Sequence, residues 1–152
     1  MPWPRLKKKM YSNILAQIKT DKDKDLLLEE IDVLQTGLYD IKGGFEKALG
    51  KVREATANSV REALRSGTVE KSQFLEGLEV ELEKIGTLKL TLAFEPSEEF
   101  IVKLHQWALA NINQGIILDF EKDKSLLGGV VIEYAGKYKD CSLKKVLENA
   151  GF

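Results

Sequence analysis

The stretch Asp123–Leu147 reads DKSLLGGVVIEYAGKYKDCSLKKVL and decides the fold of the last part of the chain. A Gly-Gly pair opens an apolar run at residues 130–132, and Ala135-Gly136 can form a turn before a short polar segment. Apolar runs bounded by glycine-containing turns are typical of β-hairpins. Ser142 is a favoured helix-capping residue and stands directly before a helical pattern. We therefore predict a hairpin that leads at once into a terminal helix.

Upstream of the hairpin, the apolar residues first follow the period of a strand and then that of a helix. Residues 87–94 alternate between polar and apolar types, which predicts a half-buried strand. Pro96 ends that strand, and Ser97 can cap a helix that runs to about Asn111. A second strand is predicted over residues 115–121. The predicted order from residue 87 is thus strand, helix, strand, strand, helix.

The first 86 residues have helical rather than strand periodicity. The predicted fold class is therefore α+β, with a coiled-coil-like helical region over residues 1–86 and a small β-α-β-β-α domain over residues 87–152. A further helix with apolar positions 75, 78, 82 and 85 is predicted to end this helical region.

One apolar seam dominates the helical region. Its members are spaced alternately by four and three residues, as in a coiled coil. They are Leu27, Ile31, Leu34, Leu38, Ile41, Phe45, Ala48, Val52 and Ala55. The spacing is compatible with one long helix from Asp25 to Arg65 or with a helical hairpin that bends at Gly43-Gly44, and the pattern leaves both open. Because the seam is narrow and long, we expect it to pack against a partner.

Composition limits the classes of function. The chain of 152 residues has a formal net charge of −1, which excludes nucleic-acid binding driven by bulk charge. Residues 1–24 are basic and residues 25–85 are acidic, so a basic arm precedes an acidic helical body. The arm has a helical apolar stripe at Leu6, Met10, Ile14 and Ile18, which fits either a packed helix or one that lies on a membrane surface. No apolar run is long enough for a membrane span.

The residues that most often carry chemistry are isolated in this sequence. His105 is the single histidine and has no second ligand at metal-binding spacing, and Cys141 is the single cysteine, which suits a reducing compartment. Gly128-Gly129 is followed by an apolar strand instead of the Gly-Lys-Ser/Thr of a phosphate-binding loop, so we interpret it as a turn or bulge. The sequence therefore predicts no catalytic residue, no cofactor and no metal.

The Asp123–Leu147 stretch also carries a motif. An acidic residue and one spacer precede Ser-Leu-aliphatic-Gly-Gly-Val, and Asp-x-Ser-aliphatic follows about ten residues later. The residues concerned are Asp123, Ser125, Leu126, Leu127, Gly128, Gly129 and Val130, then Asp140, Ser142 and Leu143. This pattern resembles the C-terminal domain of the ATP synthase delta subunit family, which includes the oligomycin-sensitivity-conferring protein. The sequence departs from the family at Glu133, where arginine is common.

The resemblance implies a non-catalytic connector subunit of an F-type, proton-translocating ATP synthase. Its expected partners are the b-type helices of the peripheral stalk and the alpha subunits of the catalytic head. Its expected place is cytoplasmic, at the surface of the inner or plasma membrane. The alternative is a self-associating coiled-coil adaptor with a small α+β recognition domain, which would use the seam for dimerisation.

Overall fold

The computed structural model describes residues 10–65, 67, 69–112 and 115–151, which divide into two compact units. The helical unit contains the described residues up to Ile18 together with Asp23–Lys84. The sheet unit contains Lys19–Lys22 and the described residues from Ile85 onwards. The α+β fold class is confirmed, with helices in the first part and a mixed sheet with helices in the second.

Within the described residues, the first part of the chain contains five helices. They are α1 (residues 10–15), α2 (Asp21–Leu38), α3 (Gly44–Leu49), α4 (Glu54–Leu64) and α5 (Lys71–Glu83). Tyr11 and Ile14 of α1 are buried, and the Tyr11 hydroxyl donates a hydrogen bond of 2.9 Å to the carbonyl oxygen of Phe74 in α5. The basic arm is thus packed from Tyr11 onwards, while Leu6 lies outside the described residues.

The continuous helix from Asp25 to Arg65 is wrong, because α2 ends at Leu38 and two further helices follow. Gly43 has a φ of 73°, a left-handed conformation that cannot continue a right-handed helix. A Cβ atom on Gly37 would lie 2.7 Å from the Cβ of Ala48, so α3 packs closely against the end of α2. The chain therefore turns at Gly43-Gly44, as the hairpin alternative expected, and it breaks again between α3 and α4.

The apolar seam does not form one exposed surface. Leu27, Ile31, Leu34, Phe45 and Ala48 are buried in the folded chain. Leu38 and Val52 are partly buried, whereas Ile41 is 100% exposed in the turn before α3. Burial of most of the seam is the physical reason why it cannot serve as the predicted partner surface in this conformation. The alternative of a self-associating coiled-coil adaptor required the same seam for dimerisation, so burial of the seam argues against that alternative as well.

Four strands form the sheet in the order β2-β1-β3-β4. They are β1 (Gly86–Leu92), β2 (Ile116–Lys122), β3 (Gly129–Tyr134) and β4 (Lys137–Ser142). Strands β1 and β2 are parallel and are joined through helix α6 (Glu98–Asn111), whereas β1-β3 and β3-β4 are antiparallel. A short 3₁₀ turn (Lys124–Leu126) precedes β3, and helix α7 (Leu143–Asn149) follows β4.

The core of the sheet unit lies between one face of the sheet and α6. Leu88, Leu90, Ile116 and Leu118 form it with Ala108 of α6. The alternation of buried and exposed residues in β1 follows from the two-residue period of a strand. Helix α6 begins as predicted, because the Ser97 side chain accepts a hydrogen bond from the backbone amide of Phe100.

The outer edges of the sheet differ. At the β2 edge, the Leu118 amide donates a hydrogen bond of 2.8 Å to the carbonyl oxygen of Lys19, and Thr20 forms a parallel bridge with Leu118. At the opposite edge, β4 pairs with β3 alone among the described residues. Among the described residues, the Lys19–Thr20 segment therefore extends the sheet at the β2 edge.

Candidate partner-binding surface

The motif residues come together where the loop before β3 meets the junction of β4 and α7. Gly129 and Ser142 are partners in the β3-β4 ladder. The amide of Leu143 donates a hydrogen bond of 2.9 Å to the carbonyl oxygen of Gly128. Two halves of the motif that are about ten residues apart in sequence thus form one local structure.

The first half is a turn organised by Asp123. One of its carboxylate oxygens, Oδ1, accepts hydrogen bonds from the amide of Ser125 at 2.9 Å and from the hydroxyl of the same serine at 2.6 Å. These bonds stabilise the charged carboxylate, and the side-chain bond is the main reason why the pKa of Asp123 is lowered. The turn that follows places Leu126 in a buried position.

The second half repeats this arrangement and adds a helix cap. Oδ1 of Asp140 accepts a hydrogen bond of 2.9 Å from the amide of Ser142. The buried Ser142 hydroxyl accepts a hydrogen bond of 3.2 Å from the amide of Lys145. Ser142 is thus the N-cap of the terminal helix, as predicted. The pKa of Asp140 is also lowered, first by the side-chain hydrogen bond with Ser142 and then by the backbone one.

Glycine is needed at the centre of the motif because the two halves approach so closely. Gly129 has a φ of 74°, and a Cβ atom there would overlap the carbonyl oxygen of Cys141 and lie 3.1 Å from the Cα of Ser142. The interpretation of the Gly-Gly pair as a turn with glycine dihedrals is confirmed. Leu127, with a φ of 65°, has a left-handed backbone that costs a non-glycine residue roughly 1–2 kcal/mol.

Three exposed apolar side chains lie beside this junction, and we call them the α7 patch: Leu127, Leu143 and Val146. Their exposed fractions are 61%, 45% and 59%. Leu143 is next to the loop, since a Cβ atom on Gly128 would lie 3.7 Å from the Cβ of Leu143. Val146 is three residues further along α7, and residues three apart are neighbours on a helix surface. Helix α7 has no fully buried residue, and its Leu143 and Val146 are available for contact with another molecule.

Comparison with known families identifies the chain. The family model described as ATP synthase delta (OSCP) subunit matches residues 69–151, more than half of the sequence. The chain belongs to the ATP synthase delta (OSCP) family. A search of individual curated proteins found no match. The family match begins before β1 and includes helix α5, so the delta-family region extends further towards the N-terminus than the motif alone indicated.

Membership in the delta family establishes the coarse function. At the family level the chain is a peripheral-stalk subunit of ATP synthase, a structural component that associates with other subunits of this membrane-associated complex. Among the helices that the structure describes, none combines the length and the apolar character needed to cross a bilayer.

The delta-family motif forms turns and a helix cap. Cys141 is exposed on β4. His105 is buried, and its Nε2 lies 3.1 Å from the carbonyl oxygen of Ile116, which can only accept a hydrogen bond. Within the described ranges, no group of three or more His, Cys, Asp or Glu side chains could hold a metal ion.

The sequence placed Leu127 and Leu143 in the delta-family motif but did not predict that they and Val146 would be exposed. Leu143 and Val146 have the three-residue spacing of a helix face, which also suits a buried stripe. Leu126 and Leu127 are adjacent leucines, yet the first is buried and the second is exposed. Leu127 has a left-handed backbone, and residue type alone predicts neither this conformation nor the difference in exposure.

The two motif aspartates give the fold a predicted dependence on acid. The pKa values of Asp123 and Asp140 are lower in the folded chain than in the unfolded chain. The stability that these carboxylates contribute is therefore complete above the unfolded pKa of about 3.9 and is lost as the pH falls through their folded pKa values. We expect the thermal unfolding midpoint of Asp140→Asn to fall less than that of the wild type between pH 6 and pH 3, because the amide oxygen still accepts a hydrogen bond but does not titrate. Circular dichroism melts at both pH values measure this. Equal decreases in the two proteins would contradict it.

Proposed function

We propose that this delta-family subunit is a static connector that joins the catalytic head of the ATP synthase to the b-type helices of its peripheral stalk. It would hold the head still while the rotor turns, on the cytoplasmic side of the inner or plasma membrane. The single observation that carries the proposal is the α7 patch, which lies in the family-matched region and leaves apolar side chains exposed next to the motif. Exposed apolar groups that cluster at one place are typical of interaction sites.

We propose that the sheet unit provides the stalk contact and the helical unit the head contact. The turn before α3 supports the second assignment, because it exposes the apolar side chains of Tyr39 and Ile41. The Lys42 amide donates a hydrogen bond of 3.0 Å to Oδ1 of Asp40 within this turn. A connector of this kind needs no reaction of its own, only contacts that resist torque.

Co-expression with the other synthase subunits of the same organism tests the proposal. We expect the full chain to co-purify with the b-type stalk subunit and with the alpha subunits of the head in mild salt. Ile41→Asp should reduce recovery of the alpha subunits and leave the stalk contact unchanged. Failure to recover the stalk subunit with the wild-type chain would contradict the proposal.

A further inference from the structure

Leu127 combines two features that are unfavourable in the isolated chain. Its φ of 65° is a conformation that glycine or asparagine adopts more readily than leucine. Its side chain is also largely exposed, so burial within the chain does not offset this backbone cost. A leucine at such a position brings a benefit only where another molecule covers it.

We propose that Leu127 anchors an acidic amphipathic helix that packs on the α7 patch. This inference rests on the proposed connector function, since it names the chemistry of the stalk segment that the sheet unit would hold. Leu127 belongs to the loop, and Leu143 and Val146 belong to α7, so an apolar stripe laid against α7 can contact all three. The i, i+3 spacing on α7 suits packing between two helices.

The charges around the patch select the partner's polar face. Lys144 and Lys145 lie on α7, and Lys124 lies in the 3₁₀ turn next to Leu127. Within the described residues, none of these three lysines forms an ion pair at salt-bridge distance. Lys144 interacts electrostatically with Asp123 and Asp140, and Lys145 with Asp140, but the closest polar contacts of both carboxylates are their hydrogen bonds from serine. Acidic residues that flank the partner's apolar stripe would complement these lysines.

An added strand at the β4 edge is the less favoured mode of binding. That edge carries Lys137 and Lys139, and lysines on edge strands oppose the pairing of further strands. A helix on the patch leaves the edge untouched. A peptide bound as an extended strand would therefore contradict the proposal.

The experiment uses the full chain with two probes: the soluble part of the b-type stalk subunit from the same organism, and a synthetic helical peptide with leucines on one face and glutamates on the other. We expect Leu127→Gly to weaken binding of both probes roughly ten-fold, the effect of losing one buried leucine contact. Its thermal midpoint should be unchanged or raised, because glycine relieves the left-handed strain. Leu26→Ala, at an exposed leucine of α2, is the matched control and should bind like the wild type.

Charge is tested separately. Lys144→Glu together with Lys145→Glu should weaken binding of the glutamate peptide and reduce its dependence on salt. A peptide with lysines in place of the glutamates should bind more weakly to the wild type than to this double variant.

The outcomes separate this inference from the proposed function. If the stalk subunit binds Leu127→Gly as tightly as the wild type, the anchor is wrong while the connector function stands. If the stalk subunit does not bind the wild type but the glutamate peptide does, in a manner sensitive to Leu127→Gly, the recognition chemistry stands and the connector function fails. A thermal midpoint lowered by several degrees in Leu127→Gly, or no binding of either probe, would overturn the inference.

Discussion

Replacing Gly129 by alanine is expected to lower the free energy of unfolding of the sheet unit by about 3 kcal/mol or more. The new Cβ would overlap the carbonyl oxygen of Cys141 on the neighbouring strand, and a backbone atom of a paired strand cannot move aside as a flexible side chain can. The left-handed φ of Gly129 adds strain for any residue with a Cβ. Both effects act at the β3-β4 ladder, so the hairpin should separate or shift.

Gly136→Ala is the matched control for Gly129→Ala. Gly136 has a φ of 77°, close to that of Gly129, but a Cβ there would meet no atom within 4 Å. The control should therefore show only the conformational cost, about 1 kcal/mol. Amide hydrogen exchange at Leu90 reports the stability of the sheet unit separately from that of the helical unit. Equal losses of stability in the two variants would show that the steric overlap with Cys141 does not add to the cost of Gly129→Ala.

Glu30→Ala is expected to lower the free energy of unfolding of the helical unit by about 3 kcal/mol. This is the lower end of the range for breaking a buried ion pair, because the partner, Arg53, is half exposed. The buried Glu30 carboxylate accepts hydrogen bonds from the backbone amide of Arg53 at 2.7 Å and from its Nε at 2.8 Å. It also accepts one from the Thr56 hydroxyl at 3.2 Å. Alanine removes the acceptor of all of these donors at once, and the hydroxyl of the buried Thr56 has little access to water.

Glu46→Ala provides the comparison for Glu30→Ala. Glu46 forms a longer ion pair of 3.8 Å with Arg61, and both side chains are largely in solvent. Exposed pairs contribute about 0.5 kcal/mol or less, so this variant should be close to the wild type. Hydrogen exchange at Leu34 of α2 is the measurement. If Glu30→Ala lowers the free energy of unfolding no more than Glu46→Ala does, the bonds from Glu30 to Arg53 and Thr56 do not stabilise the helical unit.

Local patterns predicted the sheet unit well because its structure is specified by neighbours in sequence. The alternation in residues 87–94 gave a strand, observed at Gly86–Leu92, and Ser97 and Ser142 cap the helices expected of them. At the hairpin turn, Ala135 and Gly136 both have positive φ, which matches the right-handed twist of two paired strands.

The helical unit was harder to predict. The heptad spacing indicates which face of a helix is apolar, but it does not indicate whether one helix continues through the whole pattern. Each glycine costs a helix only about 1 kcal/mol, so Gly43-Gly44 alone did not decide between a helix and a turn. The decision comes from the contact between Gly37 and Ala48, which pairs α2 with α3. The exposure of the α7 patch was not predicted, because leucine and valine at helical spacing suit a buried stripe equally well.

The hydrogen bond from the Leu118 amide to the Lys19 carbonyl determines where this protein can be cut to produce a stable fragment. A fragment that starts at Ile85 would contain strands β1 to β4 but would lack the Lys19 carbonyl that accepts the hydrogen bond of the Leu118 amide. Its sheet would then have two open edges, and an open β2 edge rich in isoleucine and leucine invites pairing between molecules. Such a fragment should aggregate, whereas the whole chain carries its own protection against it.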